Sequence, residues 1–245
     1  VTAGKATINV LKSALGADGA KTLTATVTDL AGNVGTTAGS LTVTVDTALP
    51  VPVLAIKTGE DAYVNATETS VNIEVSSTGL AAGDVIQLKS GGSNIGTAYT
   101  VLAADVTAGK ATINVLKSDL GADGAKTLTA TVTDLAGNVG TTAASLAVTV
   151  DTVNPTVSSK TTGAIAPAGD LTITFDAPVA KGTTGNITIY KASDNSVFET
   201  IAVTASNITI SGAVVTINPT GTLVSGTSYY AKVDATAFKD LSGNA

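Results

Sequence analysis

Residues 106–155 read VTAGKATINVLKSDLGADGAKTLTATVTDLAGNVGTTAASLAVTVDTVNP. Residues 1–50 carry the same text with five changes: Ala14/Asp119, Gly39/Ala144, Thr42/Ala147, Ala48/Val153 and Leu49/Asn154. An offset of 105 residues is too long for a solenoid unit, whose repeats run roughly 20 to 50 residues, and suits one β-sandwich. The chain is therefore an array of domains. Within the repeat the apolar period is two: in Thr127–Thr133, Leu128, Ala130 and Val132 fall on one face and four Thr on the other. That is the pattern of a strand half buried in a sandwich. Val71, Ile73 and Val75 alternate likewise, as do Leu171, Ile173 and Phe175. Turn residues at 79–83, 91–92, 121–124 and 134–138 separate the runs. About seven short strands per roughly 105 residues predict an immunoglobulin-like sandwich, and no stretch reads as a long helix.

Both copies close alike, as Val45-Asp46-Thr47-Ala48-Leu49-Pro50 and Val150-Asp151-Thr152-Val153-Asn154-Pro155. Each closing is read as a last strand entering a short Pro-stiffened connection. Residues 1–46 are then the second half of one repeat, 47–151 a complete one, and 152–245 a diverged third. The third finishes on Asp240-Leu241-Ser242-Gly243-Asn244, an echo of Asp29-Leu30-Ala31-Gly32-Asn33 and Asp134-Leu135-Ala136-Gly137-Asn138, one strand short of the complete copy.

Composition narrows the function. The chain has no His, Cys, Met or Trp, and every one of its 13 cations is Lys. A Ser/His or Cys/His nucleophile pair, a His or thiolate metal site, a disulfide and an arginine clamp on phosphate are all excluded. A net charge of −6 argues against nucleic acid and anionic membrane as partners. Mean hydropathy is +0.37, yet Thr, Ser, Gly and Asp interrupt every apolar run before the roughly 18 to 20 residues of a membrane helix. Residues 1–10 lack the regions of a secretion signal, and the absence of Met marks the chain as a piece of something longer.

These residues resemble a known family. The T-x-T-D-x-A-G-N loop, the closing V-D-T-x-x-P and the period near 105 are similar to the bacterial immunoglobulin-like repeats of large surface adhesins, of the biofilm-associated and type I secreted kinds. The third segment, with Phe175-Asp176-Ala177-Pro178-Val179, Thr216-Ile217-Asn218-Pro219 and Gly226-Thr227-Ser228-Tyr229-Tyr230, resembles a sister class found in surface-layer and adhesin proteins. The resemblance implies an all-β chain of tandem sandwiches arranged end to end, extracellular on a bacterial surface. It implies neighbouring domains of the same long chain as partners, a host or biofilm-matrix ligand elsewhere in the parent, and calcium between successive domains. Many relatives carry a Trp that this chain lacks; Gly109-Lys110-Ala111 stand where it would fall.

Immunoglobulin topology places Asp84 and Asp134 at the entrance pole of the middle repeat, and Glu60, Asp61, Asp119, Asp123 and Asp151 at or near its exit. Asp46, with Asp18, would face Asp84 and Asp134 across the first junction. Asp151, Asp61 and Asp123 would face Asp176 and Asp240 across the second. Gathered carboxylates repel unless a cation sits among them, and calcium accepts six to eight oxygens in irregular loops. The plainer reading is that Asp134 and Asp240 accept N–H bonds within their own turns. No EF-hand loop occurs, and no aromatic platform stands beside paired carboxylates as glycoside hydrolysis would need. With what the resemblance implies, the expectation is a non-catalytic spacer of a bacterial extracellular adhesin, its tandem domains rigidified by calcium at the inter-domain junctions, supporting adhesion or biofilm formation. Two alternatives stay open: a segment of a self-assembling surface layer or filament, and glycan or protein recognition by the third segment through Tyr190, Phe198, Tyr229 and Tyr230.

Overall fold

The computed structural model describes residues 6–36 and 39–245; residues 1–5, 37 and 38 of the first segment lie outside this range. The chain is nearly all β, as the alternation predicts, with helical turns only at α1 (Lys12–Leu15), α2 (Ala103–Ala108) and α3 (Lys117–Leu120) among the described residues. The first segment carries β1 (Gly19–Leu23), β2 (Thr26–Thr28), β3 (Val34–Thr36) and β4 (Leu41–Val45). The middle repeat carries β5 (Pro52–Ile56), β6 (Tyr63–Val64), β7 (Ser70–Ser77), β8 (Val85–Ser90), β9 (Ser93–Asn94) and β10 (Tyr99–Thr100). It continues with β11 (Ala111–Leu116), β12 (Gly124–Thr133), β13 (Val139–Thr141) and β14 (Leu146–Val150). The third segment holds β15 (Val157–Lys160), β16 (Leu171–Phe175), β17 (Val179–Lys181), β18 (Asn186–Lys191), β19 (Val197–Ala202), β20 (Ile208–Ser211), β21 (Val214–Ile217), β22 (Tyr229–Val233) and β23 (Phe238–Asp240).

Two compact units form. The first takes Val1–Thr58, Asn72–Asn114 and Thr127–Leu146. In it β5 pairs antiparallel with β7 (Leu54 opposite Val75), and β8 pairs antiparallel with β12 (Ala130 opposite Leu88). The inward sets Ile73/Val75, Ile86/Leu88 and Leu128/Ala130/Val132 are all buried. β1 pairs with β4 and β2 with β3. The second unit takes Gly59–Val71, Val115–Lys126 and Ala147–Ala245. There β6 runs parallel to β14 (Val64 opposite Val150). Its third-segment strands run in the orders β15-β16-β21-β20, β19-β18-β22 and β17-β23. Ile187, Ile189, Ile201, Ile208, Val215, Ile217 and Phe238 fill the core between them. Phe175 and Phe238 meet there with ring centroids 5.6 Å apart; these rings replace part of the branched aliphatic volume that fills the middle repeat.

Identical text meets different fates in the two copies. The hexapeptide ATINVL is strand β11 at 111–116, where Asn114 donates to Asn72 of β7 at 3.1 Å and Val115 is 3% exposed. At residues 6–11 it forms no strand, and Val10 is 44% exposed. GAKTLTATVT is one ten-residue strand at β12 but breaks into β1 and β2 at 19–28. Strand propensity is chiefly the chance to pack against neighbours. The middle copy has β5, β7 and β8 to pack on, and the described residues of the first segment contain no counterpart of them. The same Val→Ala change at equivalent positions should therefore give unequal costs. Val132→Ala, at a fully buried site, lowers unfolding free energy by about 2 kcal/mol, whereas Val27→Ala, at a site 70% exposed, stays within about 0.5 kcal/mol. Chemical denaturation of the two variants measures both.

Candidate functional site: the Asp-x-x-Gly-Asn loops

The loops at 29–33, 134–138 and 240–244 are built identically. In each, one oxygen of the leading Asp accepts the N–H groups two and four residues on. The distances are 2.9 and 2.8 Å at Asp29, 2.9 and 2.8 Å at Asp134, and 2.9 Å for both at Asp240. The other oxygen accepts the Nδ2 of the closing Asn, at 2.8, 2.8 and 2.9 Å. Two backbone bonds complete each ring, from the Asp N–H to the Asn carbonyl and from the Gly N–H back to the Asp carbonyl. The glycines sit at φ 90°, 88° and 92°, a left-handed conformation that costs glycine nothing sterically. These bonds favour the ionised carboxyl. The Asn side chains, ahead of the backbone N–H groups, hold Asp29 and Asp134 below the ordinary carboxylate value.

Only the surroundings differ. Residues 29–33 are exposed, Asp134 and Asn138 are half-buried, and Asp240, Ser242 and Asn244 are buried. The same bonds close the loop at all three exposures, so its geometry is local.

Docking uses the second hydrogen of the Asn amide. Asn138 Nδ2 donates to the main-chain carbonyl of Asp46 at 3.2 Å, and Asn244 Nδ2 to that of Asp151 at 3.0 Å. Asp46 and Asp151 are the closing Asp residues of the preceding copies. The later joint adds two bonds: Ser242 Oγ donates to Asp151 Oδ2 at 2.8 Å, and Ala66 N–H donates to Asn244 Oδ1 at 2.8 Å. Ala136 stands where Ser242 does and has no hydroxyl to offer. The turn that presents Ala66 is itself fixed. Asn65 Oδ1 accepts from the Thr67 and Glu68 N–H groups, Glu68 caps the Asn65 N–H, and Lys117 Nζ holds the carbonyls of Asn65 and Ala66.

The connecting segments are tied from their own side as well. Asp46 Oδ1 accepts from Ala48 N–H, and Asp151 Oδ1 from Val153 N–H, two Asx turns. Thr47 gives both its N–H and its hydroxyl to Asp18, and Thr152 does the same to Asp123. Thr156 treats Asp176 likewise, at 2.8 and 2.6 Å, and this hydroxyl chiefly holds Asp176 below its usual range. Pro50 is buried with its carbonyl so close to Gly140 that any Cβ there would collide with it.

The eight predicted ligand carboxylates are thus distributed as follows. Asp134 and Asp240 have both oxygens engaged inside their loops. Asp123 and Asp176 hold threonines, and Asp61 caps the N–H of Tyr63. Asp46 and Asp151 approach the next loop through their carbonyls, and Asp151 also through Ser242. Asp84 is 2% exposed, accepts from Ala81 N–H through Oδ2, and leaves Oδ1 without a hydrogen-bond partner among the described residues. No three carboxylates among the described residues gather to hold a metal. At the second joint the oxygens of Asp123, Asp151, Asp176 and Asp240 accept N–H and O–H groups, while Asp61 is engaged through Oδ1 alone among the described residues. At the first, Asp46 is engaged through Oδ1 alone, and Asp84 Oδ1 is the buried oxygen left without a partner among the described residues. Sequence reasoning assigned the joints to carboxylates and missed the Asn amides, the threonines and Ser242. For the amides the signal was present, since Asn closes all three loops.

Residues 48–152 match one bacterial Ig-like domain model, and residues 144–245 match a second. No curated protein sequence matches the chain significantly. Among solved structures, a Ca2+-stabilized adhesin that helps an Antarctic bacterium reach out and bind ice is 24% identical, with 90% of this chain and 56% of that chain covered and a TM-score of 0.39. A tetra-tandem repeat from the extending region of a large adhesion protein is 23% identical, with coverages of 89% and 53% and a TM-score of 0.36. The BSP domain of a biofilm-associated protein is 15% identical, with coverages of 76% and 27% and a TM-score of 0.25. The chain spans about half the length of the first two. Across residues 48–245 the chain belongs to the bacterial Ig-like domains, two of which it carries in tandem.

Proposed function

We propose that this chain is a non-catalytic spacer of a bacterial extracellular adhesin. Its tandem repeats, bounded at 46/47 and 151/152, are held in fixed succession and support cell adhesion or biofilm formation by a binding region elsewhere in the parent. The observation that carries this reading is the repeated joint: a loop that closes by itself presents one spare amide hydrogen, and in two successive copies that hydrogen meets the closing Asp carbonyl of the copy before. A spacer needs joints whose donor is already in place, and here a five-residue loop places it. The bacterial Ig-like family supports the surface setting. Among the described residues no helix is long and apolar enough to cross a membrane.

A graded response tests the joint. Asn33→Ala, in the exposed loop, should lower stability by less than about 1 kcal/mol. Asn244→Ala strips three hydrogen bonds from a buried site and leaves the Ala66 N–H unpaired, and should cost about 2 to 4 kcal/mol. Amide exchange at Ala66 should rise in the second variant alone. Equal costs for the two substitutions would remove the joint from the account.

Acid provides a second test. Because the folded carboxyls of Asp29 and Asp134 titrate below the ordinary 3.8, their stabilising effect is complete above that value and is lost as pH falls through the lower folded one. Carboxyl carbon NMR shifts should therefore show both groups ionised at pH 4, and Asn138→Ala should return Asp134 toward 3.8.

Calcium at the first joint is a second reading, favoured by the unengaged Asp84 Oδ1. Under it, millimolar calcium slows amide exchange around 46–50, 81–84 and 134–138, and Asp84→Asn abolishes the effect. If exchange is unchanged by calcium, the hydrogen-bonded loop alone accounts for the joint.

A further inference from the structure

Six of the eight aromatic residues lie beyond residue 152, and they divide between two faces. Phe175, Phe198, Tyr229 and Phe238 pack on the core of the third segment. Tyr190 and Tyr230 do not. They stand opposite each other on β18 and β22, on the face turned away from Ile187 and Ile189. Their rings are stacked, with centroids 5.1 Å apart and planes 12° from parallel. A cross-strand aromatic pair stabilises a sheet by up to about 1 kcal/mol, which explains two rings side by side but not the groups around them.

Three features go further. The Tyr230 hydroxyl donates to Asn195 Oδ1 at 3.0 Å. Asn195, at φ 58°, is the one non-glycine with positive φ among the described residues. Its turn is braced by Asn195 N–H donating to the Lys191 carbonyl, Lys191 N–H to the Ser196 carbonyl, and Ser196 N–H to Asp194. The ring is thus fixed by its hydroxyl and by its face before any ligand arrives, and the Asn195 amide hydrogens meet no acceptor among the described residues. Lys232 is exposed, with Nζ 5.7 Å from the Tyr190 centroid, inside cation–π reach. It has no carboxylate partner among the described residues. Of the nearby acids, Asp234 accepts from the Asn186 N–H and Asp194 from that of Ser196. In a chain of net charge −6, this places an unpaired cation and free amide donors beside two rigid aromatic rings.

We infer that Tyr190, Tyr230, Lys232 and Asn195 form a binding site for a saccharide carrying a carboxylate. The tyrosine pair offers apolar ring surface to the C–H side of a pyranose, Lys232 pairs with the carboxylate, and the Asn195 amide donates to a ring hydroxyl or to the same carboxylate. One cation and one ring pair suit a weak, repeated contact, with a dissociation constant on the order of 1 mM.

Saturation-transfer NMR on the whole chain, with sialyllactose and a hyaluronan hexasaccharide as acidic probes and lactose as the neutral one, tests the assignment. Transfer to the acidic probes and not to lactose is expected. Lys232→Gln, at an exposed position that leaves the fold intact, should weaken binding about tenfold, and Tyr230→Ala should abolish it. Asn195→Gly keeps the turn, since glycine accepts positive φ, and should weaken binding several-fold. Absence of transfer to either acidic probe, equal transfer to lactose, or wild-type affinity in Lys232→Gln would each overturn the proposal.

Discussion

An asparagine amide has two hydrogens, and the organisation of this chain depends on where they go. One is committed inside the loop, to the Asp four residues earlier, and this fixes the side-chain rotamer. The other projects outward at a known place. In the middle repeat and the third segment it meets the carbonyl of the residue that closes the copy before. A neutral bond of this kind has a net effect of only about 1 kcal/mol. The entropy of placing the donor has already been met by the loop's own five bonds, so little of that gain is lost on docking.

Much of this architecture was legible in the text. The near-identical copies, the period of two and the turn clusters predict tandem all-β sandwiches, and the shared text of 134–138 and 240–244 predicts one loop built twice. The chemistry of contact was not legible. Sequence shows side chains, so Asp46 and Asp151 suggested carboxylates facing carboxylates, whereas the acceptor common to both places is a backbone carbonyl that every residue possesses, joined at Asp151 by the carboxylate that accepts from Ser242. Asn138 and Asn244 were visible as the ends of the echoed loops, but nothing in the text marks them as donors to another copy. Thr47 and Thr152 gave no sign that their acceptors, Asp18 and Asp123, lie 29 residues earlier. Pairing over that distance is a property of the folded sheet and leaves no local pattern.

The hexapeptide ATINVL shows a second limit. Its alternation is strand-like in both copies, yet it becomes a strand only where β7 lies beside it. Periodicity reports what a segment can do; the neighbour decides whether it does so. The aromatic residues of the third segment make the same point. Tyr229 and Tyr230 are adjacent in sequence, and only the pleat sends one into the core and the other to the surface beside Tyr190.

That the joint reads a main-chain oxygen bears on how long arrays of this kind can grow and change. A carbonyl is blind to the identity of the residue that bears it, so for the bond shared by both joints a module can be duplicated, deleted or exchanged without a matching change in its new neighbour; only the Ser242–Asp151 bond of the later joint asks for a particular side chain on each side. The side chains elsewhere are then free to drift, as 152–245 has drifted from 47–151, while the coupling between links stays interchangeable.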